Sequence, residues 1–314
     1  MLVVRDGDPQ PQVSPSVVTI GAYDGVHIGH RAVIGQVRDE AARLGAHSVV
    51  VTFDRHPASV VRPETAPQLI ADDEQKIELL GSTGVDATYV VTFGDEQSSE
   101  SPERFVERVL VGRLGVRGVV VGEDFHFGHR RAGSVETLRA MGAEHGFEVI
   151  PVRLMSRPDG VTEPVSSTAI RRALAGGQVE SAAVLLGRPF EVRGTVVHGD
   201  HRGRTIGFPT ANVDLADGIC LPADGVYAGR FDSGDGGWRP CAINLGRRPT
   251  VVERAARSTL EAHLIDFDGD LYGRRVKVTF ERFLRSERRF DGLDALKAQL
   301  QRDVAAAREA LGSA

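Results

Sequence analysis

The sequence predicts an α/β protein in two parts: a domain built on a parallel sheet, then a small antiparallel β-barrel with one helix at its C-terminus. Three observations carry this reading. Up to about residue 152, strand-like apolar runs alternate with helical patterns, which implies a parallel sheet with crossover helices. Gly176-Gly177 then breaks the alternation. From Arg188 onward the grammar changes to short strands separated by Gly, Asp and Pro, the pattern of a small barrel. The expected domains are 1–186 and 187–314.

In the first domain, the β-branched run 17–20 reads as a buried strand, and 31–44 as a helix. Strand 48–53, helix 72–81 and strand 87–93 follow. Residues 102–114 place Phe105, Val106, Val109, Leu110 and Leu114 at helical spacing. Strand 118–121, helix 134–145 and strand 147–152 complete the alternation. A short helix runs through Leu186. The barrel strands are expected at 190–197, 226–231, 242–245, 260–267 and 276–283. Asp291 is placed to cap a final helix whose apolar stripe is Leu293, Leu296, Leu300 and Val304.

A chain of 314 residues suits two domains. A net charge of −5 argues against a general nucleic-acid binder, which needs a basic stripe. The two cysteines, Cys220 and Cys241, suggest no disulfide framework and a reducing compartment. They form no Cys-x-x-Cys pair, so a zinc site lacks ligands of recognisable spacing. No apolar run approaches the ~20 residues of a membrane span, and residues 1–15 lack the apolar core of a signal peptide. A cytoplasmic protein without membrane or nucleic-acid partners is expected.

Gly21-Ala22-Tyr23-Asp24-Gly25-Val26-His27-Ile28-Gly29-His30 follows the first buried strand and opens the first helix. At such a turn, backbone N–H groups and the positive end of a helix face outward, which suits phosphate. The glycines allow close approach of the backbone. His27 and His30, three apart, can share one side of the first helical turn. As isolated residues they are equally ordinary solvated turn histidines. Ser166-Ser167-Thr168-Ala169-Ile170-Arg171 repeats the theme: a good N-cap, hydroxyls at a helix start, and an arginine one turn in.

The barrel half has its own dense motif over 197–212. Thr210 and Asn212 are two apart, so on an extended chain they face the same way. A hydroxyl and an amide oxygen together suit hydrated Mg²⁺ and phosphate oxygens, although a hairpin loop also accounts for them. No Gly-x4-Gly-Lys-Ser/Thr loop and no Gly-x-Gly-x-x-Gly fingerprint occurs. Residues 266–270 imitate the start of a calcium loop, but Leu271 and Lys277 stand where Gly and Glu are needed, so a hairpin at Asp268-Gly269 is expected. In 260–266, Glu261 and His263 share one face of a strand. Glu261 is either a solvated rim carboxylate or, aimed into the barrel mouth, a general base.

His-x-Gly-His followed by Ser-Ser-Thr-x-Ile-Arg is similar to the paired signature of nucleotidyltransferases that join a nucleoside triphosphate to a phosphate ester. Over nearly its whole length the chain resembles the prokaryotic bifunctional riboflavin kinase/FMN adenylyltransferases, or FAD synthetases. Seven motifs carry the resemblance in family order: 21–30, Thr-Phe-Asp-Arg-His-Pro at 52–57, Val-Gly-Glu-Asp-Phe-His-Phe-Gly at 121–128, 166–171, 203–212, 244–250 and 260–273. Tyr23 stands where the family usually has Phe. Asp124 stands where some members have Asn.

The resemblance implies a Rossmann-like nucleotidyltransferase domain ahead of a riboflavin kinase barrel. It implies ATP, riboflavin, FMN and FAD as substrates or products, Mg²⁺ as cofactor, and a monomer or weak homo-oligomer. His27, His30 and Arg171 would stabilise the triphosphate in FAD formation. Gly21, Tyr23, Asp24, Gly25, Gly29, Ser167 and Thr168 would surround ATP there. Phe53, His56, Pro57, Asp124 and Phe127 would hold the flavin, and Arg285 would do so in the barrel. In the kinase, Thr210 and Asn212 would hold Mg²⁺-ATP, Gly199, Gly203, Arg204 and Thr205 would contact its phosphates, and Glu261 would be the base. The alternatives are an adenylyltransferase whose barrel only stores flavin, a non-enzymatic flavin-binding regulator, and a nucleotidyltransferase for another phosphate ester.

Overall fold

The computed structural model describes the chain except residues 11, 154, 200–202, 204–205, 248–257 and 313–314, and the side chains of 247 and 258. It divides into two compact units, Met1–Ser167 and Thr168–Ala314.

The first unit is a six-stranded parallel sheet in the order β1-β4-β3-β2-β5-β6. The strands are β1 (Leu2–Arg5), β2 (Ser16–Ile20), β3 (His47–Phe53), β4 (Ala87–Val91), β5 (Val116–Gly122) and β6 (Glu148–Val152). Every residue of β2 and β4 is buried, because helices cover both faces, and this is why these strands read as continuous apolar runs. Val18 and Ile20 pack on one face with Leu110, Val119 and Leu138; Val17 packs on the other with Val37 and Ala41. After β2 the chain builds β3 and β4 on one side, then crosses to add β5 and β6 on the other. The β2/β5 junction is therefore the switch point, outside whose carboxyl ends ligands bind in such sheets. The turn 21–30 leaves β2 there.

Two features depart from expectation. Edge strand β1 was not anticipated, since only four residues pair, with β4. The helix over 102–114 begins as an α-turn, Pro102–Phe105, and continues as a π-helix, Val106–Arg113.

In the second unit, β7 (Phe190–Val197), β8 (Ala211–Leu215), β9 (Gly225–Asp232), β10 (Trp238–Arg247), β11 (Ser258–Leu264) and β12 (Arg275–Phe280) form an antiparallel barrel. Pairing of β10 with β9 closes it. The run 276–283 is not one strand: β12 ends at Phe280, and β13 (Arg282–Arg285) then pairs further along β9. The helices Ser167–Ala175 and Val179–Leu186 precede the barrel. Leu174 O accepts from Ala223 N (3.0 Å), and Glu180 Oε1 accepts from Phe283 N (3.3 Å), so Thr168–Leu186 packs with the barrel unit although the sequence grammar changes only at 187.

The C-terminal helix is Leu293–Ala310. Asp291 does not cap it; Gly292 occupies the N-cap at φ 136°, a conformation open to glycine, and no side chain caps the helix. Its buried positions are Gln299, Asp303 and Ala307, while Leu293 is 64% exposed. The remainder of the expected stripe, Leu296, Leu300 and Val304, lines a cavity.

Candidate active sites

The first candidate site is built on the 21–30 turn. Tyr23, Gly25 and Val26 all take positive φ, at 50°, 78° and 39°. For a buried β-branched residue such as Val26 this is a strained conformation, of the kind that clusters at functional turns. Gly25 is required twice over, by its φ and because a Cβ there would lie 2.8 Å from Ile70. Asp24, expected near ATP, is buried, and its carboxylate accepts from Ile70 N (2.9 Å) and Ala71 N (3.2 Å), clamping the turn to a distant loop. These bonds fix the backbone of the turn. Tyr23 is also buried, bonded to Thr19 Oγ1 at 2.7 Å, and burial raises its phenol above the ordinary range. It forms the wall behind His30, 4.8 Å away ring to ring.

His27 is the N-cap of helix Ile28–Leu44, and its Nδ1 accepts from His30 N at 3.2 Å. The acceptor role leaves the ring hydrogen of neutral His27 on Nε2. The His27 and His30 rings stack at 3.5 Å. Burial, and secondarily repulsion between protonated forms of the stacked His27 and His30 rings, push the His30 imidazole well below its ordinary pKa. His30 is thus a neutral donor at pH 7, and its Nδ1 is buried with no partner in the described structure. A Cβ at Gly29 would lie 3.2 Å from the His27 ring. Gly21 leads into this turn from β2.

Ser167 opens the helix Ser167–Ala175, and its hydroxyl donates to Asp24 O at 2.9 Å. The serine expected to hold phosphate is therefore bonded to the same turn. Thr168 is exposed and Arg171 half-buried, both in the first turns of that helix and both in the second unit.

A cavity of about 630 Å³ borders Gly21 and Ala22. It brings together four of the predicted flavin contacts, Phe53, His56, Pro57 and Phe127. His56 Nδ1 accepts from Ala58 N (3.1 Å). Asp124 does not line the cavity; its carbonyl accepts from His126 Nδ1 (2.8 Å) and so shapes the loop. Phe93, Phe105 and Phe125 also line it and were not anticipated as site residues. Phe125 and Phe127 stack at 5.5 Å, a spacing of two that the 121–128 motif does display. Apolar walls with few polar groups are the ordinary make-up of a small-molecule site.

The second candidate site lies on the outer face of the barrel. Leu260, Ala262 and Leu264 are buried in the barrel wall, so alternation turns Glu261 and His263 outward, not into the barrel mouth. Glu261 stands opposite Asn212 of β8 and opposite Asn244 of β10, one polar row across three strands. Two cavities flank that row. One, of about 580 Å³, is mainly apolar and holds Glu261, Phe208 and Ile243 against Leu296, Leu300 and Val304 of the C-terminal helix. The other, about 510 Å³, holds Asn212, Asp268, Asp270 and Tyr272. Thr210 and Gly203 border both.

His263 Nδ1 donates to Pro209 O at 2.8 Å and so holds the segment that presents Thr210. A Cβ at Gly199 would overlap the Asn212 amide, and one at Gly203 would overlap Phe208 O and approach Thr210 Oγ1 to 3.5 Å. Only glycine keeps this cradle open. His198, beside Gly199, stacks on Tyr272 at 4.0 Å. Arg204 and Thr205, predicted phosphate contacts, lie outside the described residues. Arg285 lines the apolar cavity, but its guanidinium is held by buried Asp303 at 2.9 and 2.7 Å, and Gln299 bonds Asp303 at 2.7 Å. Arg285 therefore ties β13 to the C-terminal helix. Asp303, 18 residues away, carries no local signal of that role. Among the described residues no cluster of three or more His, Cys, Asp or Glu could hold a metal, and no helix is long and apolar enough to cross a membrane.

Family models for FAD synthetase and riboflavin kinase match residues 10–169 and 186–311. The chain is 43% identical to the bifunctional riboflavin kinase/FMN adenylyltransferase of Pseudomonas fluorescens, over 95% of this chain and 94% of that one. It is 40% identical to the Escherichia coli K12 protein of the same name over 94% and 93%, and 38% to that of Bacillus subtilis over 92% and 90%. It also superimposes, with a TM-score of 0.86 and 30% identity, on a crystal structure described as a macrolide-efflux protein from Streptococcus pneumoniae, covering 98% of this chain and 99% of that one. With two family models in tandem and full-length relatives at this identity, the chain belongs to the bifunctional riboflavin kinase/FMN adenylyltransferase family.

Proposed function

We propose that the chain makes FAD from riboflavin in two ATP-dependent steps, the first in the barrel unit and the second in the parallel-sheet unit. The observation that carries the first step is the place of Thr210 on the border of two cavities, apolar with Glu261 on one side and polar with Asn212 on the other. The flat, apolar flavin ring suits the first and a triphosphate the second. The terminal ribityl hydroxyl then meets the γ-phosphate where the two cavities adjoin, beside Glu261 and Thr210. Its oxygen bonds to that phosphorus as the bond to ADP breaks, and Glu261 takes the proton. Thr210 and Asn212 would hold Mg²⁺, because both present neutral oxygen donors along a cradle that any Cβ would fill. Bound Mg²⁺ supplies charge neutralisation for the phosphate oxygens.

In the second step an FMN phosphate oxygen attacks the α-phosphate of a further ATP, and pyrophosphate leaves. The nucleophile is already ionised, so no base is required; positioning and charge stabilisation are. His27 and His30 serve as N–H donors at the helix start, His30 held neutral by burial. Ser167, bonded to the same turn, adds a hydroxyl there, with Gly21, Gly25 and Gly29 giving the backbone access. Phe53, His56, Pro57 and Phe127 seat the flavin. The kinase domain is taken to begin at 187, and the protein to act in the cytoplasm as a monomer or weak homo-oligomer.

Incubating the protein with riboflavin, Mg²⁺ and ATP and separating the flavins by chromatography tests this. FMN should appear first and FAD after it. FMN without FAD would remove the second activity, and neither product would overturn the reading.

A further inference from the structure

The lining of the 630 Å³ cavity contains Glu100, Arg130 and Arg131 as its charged residues, besides three histidines. Glu100 is 9% exposed and already neutralised: Arg108 Nε and Nη2 meet its two carboxylate oxygens at 2.7 and 2.9 Å. Arg108 is steadied in turn by Asp6 (3.4 Å), which accepts from Tyr89 Oη at 2.5 Å. Arg130 and Arg131 are different. Among the described residues neither guanidinium has a carboxylate partner.

The backbone delivers them deliberately. Both residues take positive φ, 51° and 59°, a conformation costly for two successive arginines. The loop is held in it from both sides. Phe127 and Gly133 exchange backbone bonds at 3.1 and 3.0 Å. His129 N donates to Glu100 O, and His129 Nδ1 to Ser98 O, both at 2.9 Å. Gly128 lies so close to Pro102 that a Cβ would come within 2.7 Å. Strain kept by this many contacts implies a use for the two cations at the cavity rim.

We propose that Arg130 and Arg131 bind the phosphate monoester of the acceptor flavin, and so determine that the second step takes FMN and rejects riboflavin. This rests on the reading of the cavity as the flavin seat. The phenylalanines contact only the ring that both flavins share. FMN and riboflavin differ by a phosphate, and two unpaired guanidinium groups are the part of the cavity that senses it. Arginine meets phosphate through paired N–H···O bonds. An acceptor without the phosphate leaves both cations uncompensated, which is discrimination by the missing partner.

The test is steady-state kinetics of the full-length protein with FMN and ATP varied separately. The variants are Arg130→Gln, Arg131→Gln, the double variant, the double Lys variant and Phe53→Ala. The double Gln variant should raise the KM for FMN by about tenfold or more. The KM for ATP and the rate of riboflavin phosphorylation should stay unchanged. The Lys pair, which keeps the charge, should recover part of the loss. A rise in the KM for ATP instead would assign the arginines to the triphosphate and overturn the proposal. An unchanged KM for FMN in the Gln variant while Phe53→Ala raises it would overturn the proposal but leave the flavin seat standing. If neither variant changes it, both fall. Melting curves matching wild type exclude a folding cause, both arginines being exposed.

Discussion

Glu261 of β11 stands directly across the strand pair from Asn212 of β8, on the outer face of the barrel. Side chains of residues opposite one another on one face lie within reach of a shared ligand. In the proposed reading the carboxylate and the amide serve the two ends of one transfer: Glu261 at the hydroxyl, Asn212 at the phosphates. Glu261→Gln keeps the shape and removes the base. Riboflavin phosphorylation should fall by about 10²–10⁴. Adenylylation of supplied FMN should persist, since that nucleophile needs no base. Measuring the two reactions separately checks this, and an equal loss of both would point to misfolding.

Gly199 supports Asn212 from behind, and a methyl group there would displace its amide. Gly199→Ala should therefore weaken the kinase in the same direction as Asn212→Ala. In both variants the Mg²⁺ concentration for half-maximal phosphorylation should rise, because an oxygen donor is lost or misplaced. A titration of the rate against Mg²⁺ would show it. Normal Mg²⁺ dependence in both would remove Asn212 from the metal site.

Much of this was legible because local physics and global fold agree. The strand at 17–20 is apolar throughout since both its faces are covered, and the turn after it sits at the switch point of the sheet. The alternation of 260–264 revealed one polar face. It did not reveal that the site lies outside the barrel, because the second wall comes from Leu296, Leu300 and Val304 of the C-terminal helix. Asp24 reads as a ligand contact from its motif, and Arg285 from the family resemblance. Their partners, Ile70 and Ala71 for one and Asp303 for the other, are long-range and leave no local pattern. Phe93 and Phe105 enter the 630 Å³ cavity by tertiary packing alone.

The position of the boundary makes a prediction about stability. Val179, Ala182, Leu185 and Leu186 are buried on a helix that packs against β7 and β13. A fragment starting at 187 exposes the surface they cover. Fragments 168–314 and 187–314 should both phosphorylate riboflavin and make no FAD. The longer should melt higher by roughly 5 °C or more, since one kcal/mol of burial is worth several degrees in a domain of this size. Equal melting temperatures would show that the helices contribute nothing to the barrel.

His30 is the residue on which the adenylyltransferase reading is most exposed. Its ring is stacked on His27, backed by Tyr23 and held neutral by burial, with Nδ1 unpartnered. His30→Ala should lower FAD formation by about 10²–10³, the usual cost of one preorganised donor, and leave FMN formation nearly intact. Because its folded pKa lies well below that of the unfolded chain, His30 should not titrate near pH 6.5 in the native protein. The rate of FAD formation should show no inflection there from this group. Stability behaves oppositely. Below about pH 6.5 the unfolded chain binds a proton at this position that the native state does not, so stability falls as the pH drops. His30→Gln removes that titration. Its melting temperature should fall less than that of the wild type between pH 7 and pH 5.5. A wild-type protein that loses no more than His30→Gln over this range would mean that His30 is not held neutral. FAD formation by His30→Ala at the wild-type rate would reduce it to a packing residue of the turn.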